Sequence, residues 1–205
     1  MQQRQLERRG LDYQPDLVLL GFVPNDVEPD IYTEKPKVEF LTEFTAAYVE
    51  VDWLSQYSEL WMLARRKVLR QAAGQRYLQH SIDSFLNEPE KWDTCRTALE
   101  GIRDRCKTNG IRFAVVIFPF FIRLNGDYPF QPIHDHVRTF CEDAGIPVLD
   151  LRETYRGFDG PELWVHPTDQ HPNEQAHNIA GGAIVRFLTE SGLIADKRYA
   201  NGTAK

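Results

Sequence analysis

Pro15-Asp16-Leu17-Val18-Leu19-Leu20-Gly21-Phe22-Val23-Pro24-Asn25-Asp26 is the stretch on which the reading of this chain turns. Asp16-Leu17-Val18-Leu19-Leu20-Gly21-Phe22 is a short continuous apolar run, the pattern of a strand buried on both faces. An uncharged amide, Asn25, follows directly after it. Two further runs have the same character, Ile111 to Phe118 and Pro147 to Leu151.

Around these strands the apolar positions recur at helical spacing. The pattern predicts a helix from Val51 to Ala73, with Leu54, Tyr57, Trp61, Ala64, Val68 and Leu69 on its apolar stripe, capping one side of a cleft. A second helix runs from Pro89 to Lys107 and is stopped by Asn109-Gly110. A third spans Ile133 to Asp143 and ends at Gly145, and a last one covers residues 173–191. Residues 2–9 are helix-compatible, and residues 27–50 read as an irregular insertion containing Pro29 and Pro36.

Strands alternating with helices imply an α/β fold whose parallel strands all point one way. Their carboxyl ends then share one rim, where such sheets bind ligands. Asn25, Pro119 and the loop from Asp150 to His171 emerge at that rim. A length of 205 residues suits a single domain, 1–205, with an insertion over about 27–88.

The net charge of −6 argues against a nucleic-acid surface, which needs a concentrated basic stripe. Arg65-Arg66-Lys67 reads as the solvated face of a helix. No apolar run approaches the ~20 residues of a membrane span, and the polar start at Met1 lacks the features of a signal peptide. The chain as written is therefore expected in the cytoplasm. Three cysteines, Cys95, Cys106 and Cys141, read as buried free thiols.

Two segments carry residues suited to chemistry. Asn25 past the end of a strand can aim its amide at a developing oxyanion, although an Asn-Asp pair after Pro also makes an ordinary turn. Asp169-Gln170-His171-Pro172-Asn173 places a carboxylate close to an imidazole, as general-base catalysis requires. A plain helix cap beside solvated histidines would look the same.

Together, and in this order, the two segments resemble the SGNH/GDSL serine hydrolase family, from about Asp12 to Leu188. That resemblance implies a three-layer α/β/α, flavodoxin-like fold and ester hydrolysis or acyl transfer through a Ser-His-Asp triad, on a small-molecule ester or acylated substrate and without a cofactor. It implies that His171 is the general base, Asp169 its orienting acid and Asn25 an oxyanion donor. Val23 stands where the family often has Gly, and Thr168 where the usual acid stands, leaving His166 and Asp150 as substitutes for Asp169.

The family's Gly-Asp-Ser block is not found. None of Ser55, Ser58, Ser81, Ser84 and Ser191 follows a buried strand as an exposed nucleophile must. The expectation is an N-terminally shortened hydrolase that lacks the first strand or strands of its sheet and self-associates through the exposed edge. The alternatives are a non-catalytic ligand- or partner-binding relative, and a zinc or manganese site at His166, Asp169, His171 and His177. His134-Asp135-His136 also has metal spacing, but at a helix start it reads as a solvated, capped end.

Overall fold

The computed structural model describes residues 2–27, 53–167 and 169–195. These fall into two compact units, Met1–Pro24 with Thr94–Lys205, and Asn25–Asp93.

The first unit is a mixed α/β structure. Its parallel sheet has the order β1 (Leu17–Phe22), β2 (Arg112–Ile117), β3 (Val148–Asp150). Leu17 to Phe22 pair in register with Arg112 to Ile117, and Val115 to Ile117 with Val148 to Asp150. Phe113 to Ile117 are all buried, so the central strand is covered on both faces and reads as one unbroken apolar run.

β1 departs from that expectation. Leu20 and Phe22 are buried, but Leu19 and Gly21 are exposed. Successive side chains alternate between faces, and the helix on the Leu17 side covers only one end of the strand. That helix brings Leu188, Ile184 and Phe187, with Leu193 and Ile194 beyond it, onto Ala114 and Leu17.

The helices occur close to the expected places. A short helix α1, Gln2–Gln5, runs into a wider turn, Leu6–Gly10. Glu59–Asn87 forms α2, Pro89–Thr108 α3, Gln131–Asp143 α4 and Glu174–Glu190 α5. α3, α4 and α5 end alike. Ile111, Ile146 and Leu193 donate N–H bonds of 2.8–2.9 Å to Cys106, Cys141 and Leu188, across Gly110, Gly145 and Gly192 at φ of +65° to +69°. The left-handed glycine lets the last carbonyls find partners, and an apolar residue follows each to seal the end.

In the second unit, α2 begins later and ends later than expected. Ser58 Oγ accepts the N–H of Trp61 at 3.2 Å and so caps the start, after a turn at residues 53–57. Gly74 does not stop the helix, which continues until Pro89 is near. Phe85 and Trp92 meet at 5.7 Å between ring centroids. Of the predicted stripe, Leu54, Tyr57, Trp61, Ala64 and Val68 are exposed and only Leu69 is half-buried, as are Arg65 and Arg66. Both findings correct the reading from periodicity, which shows which side chains share a face but not which face turns inward. The irregular insertion expected over 27–50 lies almost wholly outside the described residues.

Candidate active site

The loops after β2 and β3 and a hairpin before α5 assemble at the carboxyl ends of the strands. The hairpin, unforeseen in the sequence, joins β4 (Trp164–His166) to β5 (Asp169–Pro172) in antiparallel pairing, with His166 opposite Asp169. Its Pro172 leads to Asn173, the N-cap of α5.

This hairpin brings His171 and Asp169 together. His171 Nδ1 lies 2.5 Å from Asp169 Oδ1, and the backbone N–H of His171 donates to the same oxygen at 3.1 Å. The imidazole is 87% exposed, and among the described residues its Nε2 has no hydrogen-bond partner. The two bonds from His171 hold the Asp169 carboxyl below its ordinary range, so it is an anion at neutral pH. A carboxylate on Nδ1 selects the tautomer with a lone pair on Nε2, ready to accept a proton.

Asn173 anchors the pair. Its Oδ1 accepts the N–H of Ala176 at 3.0 Å, its Nδ2 donates to the carbonyls of Glu162 and Trp164 at 2.8 and 3.3 Å, and its own N–H reaches Leu163 O at 2.8 Å. One side chain thus caps the helix and fastens it to the hairpin. Trp164 Nε1 donates to Phe121 O at 2.8 Å, tying the hairpin to the loop after β2. Tyr155 packs edge-on against Phe121 and donates to Ala176 O at 2.8 Å. At Gly160 a Cβ would lie 2.1 Å from Phe121 O, so the backbone approach there excludes any side chain.

A second histidine is also fixed at this rim, where it was not expected. His134 is fully buried, not solvated, with Nδ1 2.9 Å from Asp150 Oδ1 and Nε2 3.4 Å from the Tyr128 hydroxyl. Tyr128 Oη accepts the N–H of Phe120 at 3.0 Å, and Asp150 Oδ1 accepts that of Arg152 at 2.9 Å. The Arg152 guanidinium lies over the Tyr128 ring and bonds Gln131 and Gly126 O. Burial pushes the Tyr128 hydroxyl well above its usual range, keeping it a neutral donor. Asp150 is thereby committed to His134 rather than standing free as a substitute acid.

Asn25 is exposed in the turn Pro24–Val27, where the second unit begins. His166 and His177 are exposed, and among the described residues no three metal-ligating side chains gather into a cation site. Thr168 lies outside the described residues. Among the aromatics, Phe121 is buried, Phe118 and Phe120 are half-buried, and Tyr57 and Trp61 are exposed on the second unit. Ser55 and Ser81 are buried, Ser58 is the cap of α2, and Ser84 lies within that helix. Ser191 caps the far end of α5, ~25 Å along the helix from Asn173. No family model, no curated protein and no solved structure matches the chain.

Proposed function

We propose that this chain carries the imidazole and carboxylate of an SGNH/GDSL-type ester hydrolase or acyltransferase, built on that family's three-layer fold. The observation that carries the reading is the exposed His171 with Asp169 on its Nδ1 and, among the described residues, no partner on its Nε2. In this scheme His171 Nε2 takes the proton of a serine hydroxyl as the oxygen attacks an ester carbonyl. Asp169 stabilises the imidazolium, and His171 returns the proton to the leaving alcohol. Water or a second alcohol then releases the acyl group by the same steps in reverse. Asn25, exposed past the end of β1, is the proposed amide donor to the tetrahedral oxyanion.

The nucleophile is the open part of the scheme, because none of the described serine hydroxyls is bonded to His171. In the family it resembles, the serine comes from a Gly-Asp-Ser block, which is not found among these 205 residues. A non-catalytic, ligand-binding relative is the competing reading, favoured by the placement of Ser191 far along α5.

Turnover of p-nitrophenyl acetate, run with fluorophosphonate labelling and peptide mapping, tests the proposal. The imidazole alone attacks such an activated ester, so the chain is expected to accelerate its hydrolysis in a His171-dependent manner and to leave its own serines unlabelled. Equal rates for the wild type and His171→Ala would favour the non-catalytic reading. A labelled serine that disappears in His171→Ala would place the nucleophile within the chain.

A further inference from the structure

The first turns of α2 present an apolar face to solvent. On a helical projection, Leu63, Lys67, Leu60, Ala64, Val68 and Trp61 fall in that order across one arc of about 160°. These are the exposed positions of residues 60–69, with Leu60 at 79%, Leu63 at 60% and Val68 at 63% exposure. Met62, Arg65, Arg66 and Leu69, on the opposite arc, are half-buried. The preceding turn adds Trp53 and Tyr57, both exposed. Isolated exposed apolar residues are ordinary, but a contiguous helical face of them marks a contact surface.

Charge indicates the kind of partner. Residues 60–82 contain no Asp or Glu and five basic residues, Arg65, Arg66, Lys67, Arg70 and Arg76, in a chain whose net charge is −6. Lys67 sits within the apolar arc, and Arg65 and Arg66 lie one on each flank of the half-buried side. Trp and Tyr at one end, Leu along the middle and an exposed Lys among them is the pattern of a helix lying in a bilayer interface. Its apolar side chains enter the acyl boundary while the exposed Lys67 meets lipid phosphates. No described helix is long and apolar enough to cross a membrane, which suits a helix lying flat.

We infer that the face formed by Leu60, Leu63, Lys67 and Val68, with Trp53 and Tyr57, docks the protein on an anionic phospholipid surface. The inference rests on α2 and its preceding turn alone and does not depend on the hydrolase reading. A second copy of the chain is a poorer occupant, because pairing two such faces would bring cations of like sign together.

Flotation of the full chain with vesicles of phosphatidylcholine, with and without phosphatidylglycerol, tests this. The chain is expected to float with the anionic vesicles, to be released by salt, and to show a blue shift in tryptophan emission when bound. Leu60→Ser with Leu63→Ser should lower partitioning about tenfold or more. Lys67→Glu should lower it about fivefold or more. These positions are exposed, so thermal melts of the variants should match the wild type. Absence of flotation with anionic vesicles, or equal flotation of the double variant, would overturn the inference. A concentration-dependent dimer lost in the double variant, without vesicle binding, would reassign the face to contact between copies.

Discussion

Nδ1 of the fully buried His134 lies 2.9 Å from Oδ1 of Asp150, joining α4 to the end of β3 across sixteen positions of chain. Tyr128 and Arg152 close the network from the loops on either side. A buried polar group that loses its partner costs about 1–3 kcal/mol. His134→Ala is therefore expected to lose about that much in denaturant unfolding at neutral pH, and Asp150→Asn, which keeps an acceptor oxygen but loses the charge, less.

The same network sets an acid limit. Burial pushes the Asp150 carboxyl up, but the His134 hydrogen bond and attraction, the Arg152 N–H and the Arg138 charge together hold it below its ordinary value. The unfolded chain then binds this proton more readily than the folded one. The stabilisation is complete above the unfolded pKa of about 3.9 and is lost as pH falls through the lower folded value. Unfolding measured from pH 7 down to 3 should show a shallower acid limb in Asp150→Asn than in the wild type. Identical limbs would contradict the assignment.

Gly160→Ala is expected to cost more than ~2 kcal/mol, because its Cβ would meet the Phe121 carbonyl at 2.1 Å and backbone on one side must move. Chemical shifts of Trp164, whose indole donates to the same carbonyl, should change with it.

Asn173→Ala removes a helix cap and the two amide bonds that hold the hairpin. The loss should be about 1–2 kcal/mol in thermal unfolding. Asn173→Asp restores the cap but not the amide donors, so it should recover stability only in part. Full recovery would show that the bonds to Glu162 and Trp164 contribute little.

Cys106 and Cys141 are buried, and burial pushes the Cys141 thiol up to about 12 and raises that of Cys106. Cys95 is half-buried. Titration with a thiol reagent should find Cys95 alone in the native protein and the other two only after unfolding. Rapid native labelling of Cys141 would contradict the packing described for α4.

Much of this architecture is legible in local pattern. The β2 run reads as a covered strand because both of its faces are covered, and Gly110, Gly145 and Gly192 follow the helix ends closely. The hairpin was not legible, since β4 and β5 are only three and four residues long and mostly polar. The burial of His134 depends on Asp150, a partner in another element, and no local window contains that information. The outward turn of the α2 stripe is a tertiary choice that helical spacing leaves open. The contact between Asp169 and His171 was legible because they lie two positions apart, whereas the clamp role of Asn173 required the carbonyls of Glu162 and Trp164 to be in place.

In the proposed scheme Asp169 holds His171 as a base with its Nε2 lone pair available. The most direct measurement is two-dimensional ¹⁵N NMR of the imidazole nitrogens through the titration of His171, in the wild type and in Asp169→Ala. Neutral His171 is expected to carry its proton on Nδ1, and Asp169→Ala to lose this preference. A proton on Nε2 in the wild type, or no difference between the two proteins, would contradict it.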